Sequence, residues 1–437
     1  MASIAKALPR LYIWQLASML FGFGTQVLLA RVLGPHDKGV LDLFILIPTV
    51  LSSVTDFGLL PANTYFGAKK ISSIEKLHSN SVAWILFLVA ILTGGFWVLH
   101  MAGGSLLTSL PADVFTLALL STGPLLYVAL WGGLMFGNDK AESVYIVQGL
   151  GAALQLGTYV IIFVLHASLM TAVYATAFII LGKGGIALAD YYRKHRWKFE
   201  PDAKVLSACL KYGIALSVGI VVNILHNRII QFIVEVYLGL TALGWYAISV
   251  RMVELIWLLD YVVINASLFK VTSSPREESV KLTMQLARFV GIIVVAAALF
   301  MAATFPWVIP WLLGERFEPS VTPALLMLPG IVSWSVGRSL SPFISYQLGK
   351  PWYNTAVSLA AFVVNLVASI TLVPKLGING AAVATTISYA SMFVFTIFVF
   401  KKTASVSVTS IFRIQGEDVR LFKEQLRNLL EMMKLLK

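Results

Sequence analysis

Three arginines, Arg228, Arg251 and Arg338, lie inside long apolar stretches of the sequence. An arginine near the centre of a bilayer costs roughly 2.5 to 3.5 kcal/mol even on the gentlest scale, so each of them needs water, a partner or a ligand. A guanidinium carries planar donors that match phosphate oxygens bidentately. These residues therefore predict a membrane-embedded site for a phosphorylated ligand.

A structural interpretation competes with this one. Arg251 and Glu254 are three residues apart on one predicted helix face, and Arg228 precedes Glu235 by seven residues. Each pair would then neutralise itself. The two interpretations are compatible, because a carboxylate can hold an arginine until a ligand replaces it.

Two further charged residues have open roles. Asp56 is predicted to lie mid-helix with no basic residue one turn away, so it either meets an arginine from another helix or changes its protonation state. With Glu254 it is a candidate for charge balance or ion coupling. Lys183 has glycines on both sides, but the following Ser or Thr of a phosphate loop is missing. It is interpreted as a snorkelling lysine in a loosely packed helix or as a further phosphate ligand.

Polar side chains form stripes on the first, second, seventh and eighth apolar stretches, whereas the third and ninth are almost purely aliphatic and aromatic. A side chain that faces lipid gains nothing from being polar, so the four striped helices are expected to surround a central hydrophilic cavity. The candidate ligands among their amides are Gln15, Gln26, Asn223, Asn227 and Gln231.

Residue types that carry catalysis are not grouped in this sequence. The six histidines show no metal-ligand spacing, and no Ser/His/Asp or Cys/His arrangement is recognisable. The single cysteine, Cys209, rules out an internal disulfide. We therefore expect no enzyme activity, no cofactor and no metal.

The composition fixes the class of element that must position these residues. The chain is 58% hydrophobic and 12% charged, against roughly 45 to 50% and about 25% in globular domains. It contains about twelve apolar stretches, each near the roughly 20 residues that a helix needs to cross hydrocarbon. They lie near residues 11–30, 40–66, 81–101, 114–136, 144–165, 170–190, 212–234, 245–268, 289–312, 322–347, 355–373 and 380–400. The sequence predicts an all-α integral membrane protein with about 12 transmembrane helices.

A repeated motif divides these helices into two halves. A Leu-Gly pair followed by four residues and a second glycine occurs at residues 33–39 and again at 238–244, which is 205 positions later. Six spans per half is an even number, so a parallel repeat about the membrane normal is expected, and such repeats are typical of transporters. The predicted division is an N-terminal bundle (1–192), a basic cytoplasmic linker (193–211), a C-terminal bundle (212–402) and an amphipathic tail (403–437).

The distribution of basic residues predicts the orientation. If both termini are cytoplasmic, the outer side receives only Arg31, Lys38, Arg316 and Lys375, in accordance with the positive-inside rule. The net charge of +12 then reflects topology and contact with anionic membrane lipids, and nucleic acid is not needed to explain it. The tail is expected to lie on the inner surface as an amphipathic helix, as an anchor or as a partner-binding segment. We predict a multi-pass protein of the cytoplasmic (inner) membrane.

Three segments carry a resemblance to a known family. They are residues 31–41, residues 237–251 and the stretch 374–385, in which a proline is followed by Gly-Ile-Asn-Gly-Ala-Ala-Val-Ala-Thr. In these segments the chain resembles the O-antigen-type, Wzx-like polysaccharide flippases of the multidrug/oligosaccharidyl-lipid/polysaccharide (MOP) exporter superfamily. The likeness extends from about residue 10 to 400, although the loop at residues 166–170 lacks the pattern of its second-half counterpart.

The resemblance implies two six-helix bundles related by pseudo-two-fold symmetry around a V-shaped cavity. It implies alternating access that moves a polyprenyl-pyrophosphate-linked oligosaccharide to the outer leaflet for O-antigen, capsule or exopolysaccharide synthesis, beside other polysaccharide assembly proteins and with H⁺ or Na⁺ as a coupling ion. The arginines and Lys183 would then contact pyrophosphate and the amides sugar hydroxyls. The alternatives are a cation-coupled drug or toxin exporter of the same superfamily, which would depend on Asp56 and Glu254, and a membrane glycan polymerase or ligase, which the short outer loops disfavour.

Overall fold

The structure is a computed structural model that describes residues 2–102, 110–138, 140–165, 168–195 and 198–413. The side chain of Gln15 and the part of the predicted amphipathic tail beyond residue 413 lie outside the described part. Within these ranges the chain is helical and contains no strand. Helices are what an apolar chain must form in a bilayer, because each backbone donor and acceptor then finds its partner within the segment.

The helices follow one another in twelve elements joined by short connections. They are α1 (Ala2–Thr55), α2 (Leu59–Ala68), α3 (Ile74–Met101), α4 (Ala112–Gly137), α5 (Ala141–Val164), α6 (Leu169–Lys194), α7 (Ala203–Glu254), α8 (Ile256–Ser273), α9 (Arg276–Leu313), α10 (Val321–Pro342), α11 (Trp352–Ala404) and α12 (Val408–Phe412). A 3₁₀ turn (Glu315–Ser320) precedes α10, and a π-helical turn (Phe343–Gln347) follows it.

Nine helices of the described ranges are long and apolar enough to cross a membrane. Three of these nine each contain one glycine with a non-helical backbone, namely Gly34 in α1, Gly239 in α7 and Gly377 in α11. Dividing these three at their glycines gives twelve helical segments. The structure therefore confirms the predicted all-α membrane fold.

The repeated motif adopts the same backbone in both copies. Gly34 has φ 71° and ψ 177°, and Gly239 has φ 80° and ψ −179°. Side chains rarely tolerate a φ in this range, which is why glycine occupies both positions. The two motif copies therefore share one backbone conformation at their first glycine.

The second glycines of the two motif copies lie at a close crossing of α1 and α7. A Cβ atom built on Gly39 would lie 1.8 Å from the carbonyl oxygen of Leu240. One built on Gly244 would lie 2.1 Å from the carbonyl oxygen of Pro35. Only hydrogen fits at either position, so the motif permits direct backbone contact between the two copies.

The chain divides into two compact units. The first contains Met1–Trp245 with Pro310–Phe317, and the second contains Tyr246–Ile309 with Glu318–Lys437. The predicted linker, residues 193–211, lies within the first unit, and the division into two six-helix bundles stays a prediction of the sequence.

Each unit has its own interior. In the first, α4 packs against α1, α2, α3 and α6 and buries Leu126, Leu130, Trp131 and Leu134. In the second, α10 packs against α8 and α11. The two arms of α11 are joined by a hydrogen bond of 3.1 Å from the Ser388 hydroxyl to the Ala361 carbonyl oxygen.

The predicted second span, residues 40–66, is not one continuous helix. It is interrupted at residues 56–58, where Phe57 and Gly58 have φ values of 45° and 75°, and the helix resumes as α2. A Cβ atom on Gly58 would lie 2.0 Å from the carbonyl oxygen of Gly213 in α7. The break therefore coincides with a second close backbone crossing, which hydropathy alone does not reveal.

Candidate functional site

Arg338 is held by a buried carboxylate in the second unit. Both carboxylate oxygens of Asp260 on α8 accept hydrogen bonds from Nη2 of Arg338 on α10, at 2.5 and 2.6 Å. The guanidinium carbon lies 5.1 Å from the ring centre of Trp257, within range of a cation–π interaction. Asp260 is fully buried, whereas Arg338 keeps 29% of its side chain exposed. The arginine is thus fixed on one side by charge and on another by an aromatic face.

Arg251 has a looser partner in the same unit. Its Nη1 lies 3.3 Å from Oε2 of Glu254, and the exposed fractions of the two side chains are 44% and 16%. The ion pair predicted from their spacing is therefore present. It consists of one contact of 3.3 Å, and the Arg251 guanidinium is accessible.

The polar residues of the seventh predicted span lie on α7, in the first unit. Arg228 is half-buried, and Gln231 and Glu235 are buried. The side-chain nitrogen of Asn227 donates to the backbone oxygen of Asn223 at 2.8 Å and to its side-chain oxygen at 3.2 Å. The helix therefore presents an exposed amide group at Asn223 and, five residues further on, a partly buried guanidinium at Arg228.

Gln26 on α1 carries an unmet acceptor. Its side chain is half-buried, and its Oε1 is buried without a hydrogen-bond donor among the described residues. An unsatisfied buried acceptor costs about 1 to 3 kcal/mol. Such an atom is the expected feature of a position that accepts a hydrogen bond from water or a ligand hydroxyl.

Lys183 does not snorkel, so that part of its interpretation is wrong. Its Nζ donates to Oε1 of Gln155 at 2.8 Å, which joins α6 to α5. The side-chain stem lies directly on Gly151, where a Cβ atom would approach the Lys183 Cγ to 2.8 Å. Because Gly151 has no side chain, the stem of Lys183 fits against α5 inside the unit. The amine is bound to an amide oxygen and does not reach a helix terminus.

Asp56 lies at a helix boundary rather than mid-helix, which corrects its predicted placement. The side chain is buried, and its Oδ1 accepts a hydrogen bond of 3.0 Å from the backbone N–H of Leu60. A carboxylate at a helix N-terminus satisfies an otherwise unpaired donor and interacts favourably with the helix dipole. The break at residues 56–58 thus gives Asp56 a structural role whatever else it does.

Asp260 and Trp257 are not among the site residues predicted from the sequence. Asp260 and Arg338 are 78 positions apart, so no helical spacing connects them. The available signal was the cost of an ionised aspartate within the eighth span, which demands a cation from another helix. The structure supplies that cation from α10.

Comparison with known families gives one match in the middle of the chain. Residues 145–322 match a family described as polysaccharide biosynthesis protein. An uncharacterized membrane protein of Methanocaldococcus jannaschii is 24% identical over 204 residues. That alignment covers 46% of this chain and 40% of the relative, so the chain spans well under half the length of that protein.

Solved structures match over nearly the whole chain. The lipid II flippase MurJ in an inward closed conformation has a TM-score of 0.77 at 14% identity, with 95% of this chain and 92% of that chain covered. An inward-facing multidrug resistance MATE family transporter of the MOP superfamily has a TM-score of 0.68 at 13% identity, covering 89% and 94%. A MOP superfamily transporter from Pyrococcus furiosus has a TM-score of 0.58 at 15% identity, covering 94% and 97%.

These neighbours are named as transporters and as a flippase. Their similarity shows the fold, and the family match covers residues 145–322. The chain accordingly shares the all-helical fold of this MATE transporter and of MurJ.

Proposed function

We propose that the protein is a flippase for a polyprenyl-pyrophosphate-linked oligosaccharide, moving the repeat unit from the cytoplasmic to the outer leaflet by alternating access. The observation that carries the proposal is the family match over residues 145–322, which contains Arg228 and Arg251. The shared fold with a lipid II flippase over 95% of the chain supports it. The product would serve surface polysaccharide synthesis as O-antigen, capsule or exopolysaccharide.

The chemistry of such a substrate matches the polar residues of both units. A pyrophosphate needs cations in a wet setting, sugars need hydrogen-bonding groups, and the prenyl chain can stay in the bilayer. Arg251 is the first candidate for pyrophosphate, because one contact of 3.3 Å to Glu254 is easily replaced by two charge-assisted bonds to phosphate oxygens. Arg228 is the corresponding candidate on α7.

Arg338 and Lys183 are secondary candidates for the pyrophosphate. Asp260 already occupies Nη2 of Arg338, and Gln155 already accepts from Lys183, so a ligand would compete with a formed contact. For the sugars, the exposed Asn223 and the unmet oxygen of Gln26 are the best placed amides. Gln15, Asn227 and Gln231 complete the proposed sugar-binding set.

The proposed setting is the cytoplasmic membrane with both termini inside. The supporting observation is the small number of basic residues in the outer loops of the predicted topology. Coupling to H⁺ or Na⁺ through Asp56 or Glu254, and work beside other polysaccharide assembly proteins, belong to the same proposal.

Complementation of a flippase-deficient polysaccharide strain tests the function. Wild type should restore surface glycan, whereas Arg228→Ala and Arg251→Ala should fail at equal membrane expression. Arg413→Ala, an exposed arginine away from the membrane spans, is the matched control and should behave as wild type. Full activity of both site variants would contradict the site, and failure of wild type in strains with several different repeat units would contradict the substrate class.

A second candidate function is a cation-coupled exporter of the same superfamily. The observation that favours it is the match to the MATE transporter at a TM-score of 0.68, together with the buried carboxylate of Asp56. Drug efflux that is abolished by Asp56→Asn and Glu254→Gln but retained by Arg228→Ala and Arg251→Ala would support the exporter. The opposite pattern would support the flippase.

A further inference from the structure

An apolar groove of about 570 Å³ crosses α3, α4 and α6 in the first unit. Its walls are leucine, valine and isoleucine side chains, and several are strongly exposed, with Leu86 at 63% and Leu181 at 56%. Exposed apolar surface is normal towards lipid, but a concave one offers a hydrocarbon chain contacts on several sides. The groove is thus shaped for a chain rather than for a flat bilayer surface.

Glycines and a proline give the groove its depth. A Cβ atom on Gly184 of α6 would lie 3.1 Å from Pro124 of α4, so the two helices nearly touch there. One residue further, a Cβ atom on Gly185 would meet nothing within 4 Å. The missing side chain at Gly185 leaves open space within the groove lining.

The length of the groove matches one leaflet. It follows α4 from Leu117 to Tyr127, which is about 15 Å at about 1.5 Å per residue. The hydrocarbon core of a bilayer is about 30 Å thick, so the groove covers half of it. An acyl chain of one leaflet fits this length, whereas a polyprenyl chain is several times longer.

A series of hydrogen bonds and ring contacts connects Tyr127, at one end of the groove, to Lys140. The Tyr127 hydroxyl lies 3.0 Å from Nε2 of His78, and the His78 ring stacks on Tyr191 at 3.7 Å. Tyr191 stacks in turn on His195 at 5.0 Å, and Nε2 of His195 accepts from Nζ of Lys140 at 3.0 Å. The Tyr127 end of the groove is therefore connected, through the buried His78 and Tyr191, to a polar cluster of His195 and Lys140 that follows the ends of α6 and α4.

The charges of this cluster leave cations available to a ligand. Burial, reinforced by the Lys140 ammonium, lowers the pKa of His195, so a neutral imidazole accepts from Lys140 without offsetting its charge. Asp190 is bound by Lys194 at 2.6 Å. Arg193, in the last turn of α6, is exposed. Glu75 on α3 also acts on His195 and is, with Asp190, a carboxylate of this cluster.

We propose that this groove is a binding site for a single phospholipid, with one acyl chain lying between α3, α4 and α6 and the phosphate beside Lys140 and Arg193. The site is independent of the transported substrate. Apolar contact along half a bilayer thickness holds the chain, and the cations at the polar end fix the lipid in register with α6.

Native mass spectrometry of the full chain, released from detergent with added phosphatidylglycerol, tests the chain site. Gly185→Leu fills the open space and should lower the bound fraction several-fold, with Gly185→Val giving an intermediate loss. Gly157→Leu is the matched control, because it too is an exposed helical glycine with nothing within 4 Å of its Cβ position and does not line the groove. Equal lipid retention in the Gly185 and Gly157 variants would overturn the site.

The phosphate contact has its own comparison in the same experiment. Diacylglycerol with the same chains lacks the phosphate and should bind several-fold less than phosphatidylglycerol. Lys140→Gln with Arg193→Gln should remove that preference, whereas Lys204→Gln with Lys211→Gln, two exposed lysines elsewhere, should preserve it. Equal binding of both lipids to wild type, or stoichiometric displacement of phosphatidylglycerol by a polyprenyl phosphate, would overturn the assignment to a phospholipid.

Discussion

The second unit contains two arginine–carboxylate pairs, which differ in burial and in the closeness of their contacts. Arg338 is bound by both oxygens of the fully buried Asp260 and lies over Trp257. Arg251 makes one contact of 3.3 Å to Glu254 and is 44% exposed. A buried pair is strongly destabilised when one partner is lost, whereas an exposed pair contributes little. Arg338 is therefore fixed within the fold, whereas the Arg251 guanidinium remains accessible.

Breaking the buried pair should have the largest effect. Asp260→Ala leaves the Arg338 guanidinium without its carboxylate, and we expect a loss of about 3 to 5 kcal/mol of unfolding free energy. Thermal unfolding in detergent measures it as a large fall in Tm. Asp260→Ala combined with Arg338→Leu should recover much of the loss, because no uncompensated charge remains. A wild-type Tm for Asp260→Ala would show that the pair is dispensable.

Removing the aromatic face should have a smaller effect on the same pair. Trp257→Leu keeps an apolar side chain but loses the cation–π contact, which contributes about 2 kcal/mol at a desolvated site. The Tm should fall less than in Asp260→Ala. In the Arg338→Leu background the same substitution should cost measurably less, and an unchanged cost would assign the loss to packing alone.

Breaking the exposed pair should barely change stability. Glu254→Ala removes a contact of a kind that contributes about 0.2 to 1 kcal/mol, so its Tm should stay close to that of wild type. Transport should respond more than stability does, because Arg251 loses the group that holds it between substrates. A Tm loss as large as that of Asp260→Ala would erase the distinction between the two pairs.

A surface ion pair in the first unit is expected to contribute least to the stability of the fold. Lys76 donates to Asp202 at 2.9 Å, and this contact, followed by a backbone hydrogen bond from Val205, lowers the pKa of Asp202. A carboxyl with a lowered pKa stabilises the fold above its unfolded pKa and loses that contribution as pH falls through the lowered value. The Tm of wild type should therefore fall slightly more than that of Asp202→Asn below pH 4, and identical acid profiles would remove this contribution.

The fold was predictable because each membrane helix is determined by the hydropathy of one continuous segment of sequence. Hydropathy located the twelve segments, and the repeated glycines marked the bends at Gly34 and Gly239. The interruption at Asp56 was not predictable, since it depends on the crossing of Gly58 with Gly213 from another helix. Local pattern thus gives the spans, and tertiary contact decides where a span breaks.

In the candidate site, too, the contacts within one helix were predictable and those between helices were not. The Arg251–Glu254 pair follows from a spacing of three residues on one helix. The Arg338–Asp260 pair joins helices 78 positions apart, and Lys183 meets Gln155 across α5 and α6. A sequence shows that a buried charge needs a partner, but only the packing of helices identifies it.

The most direct test of the account is flipping of a polyprenyl-pyrophosphate-linked oligosaccharide by the purified protein in liposomes. Wild type should expose the glycan to an external probe, and Arg251→Ala should abolish this exposure while its Tm stays within a few degrees of wild type. Arg251→Ala liposomes that flip the lipid at the wild-type rate would contradict the claim that the accessible arginine binds the substrate.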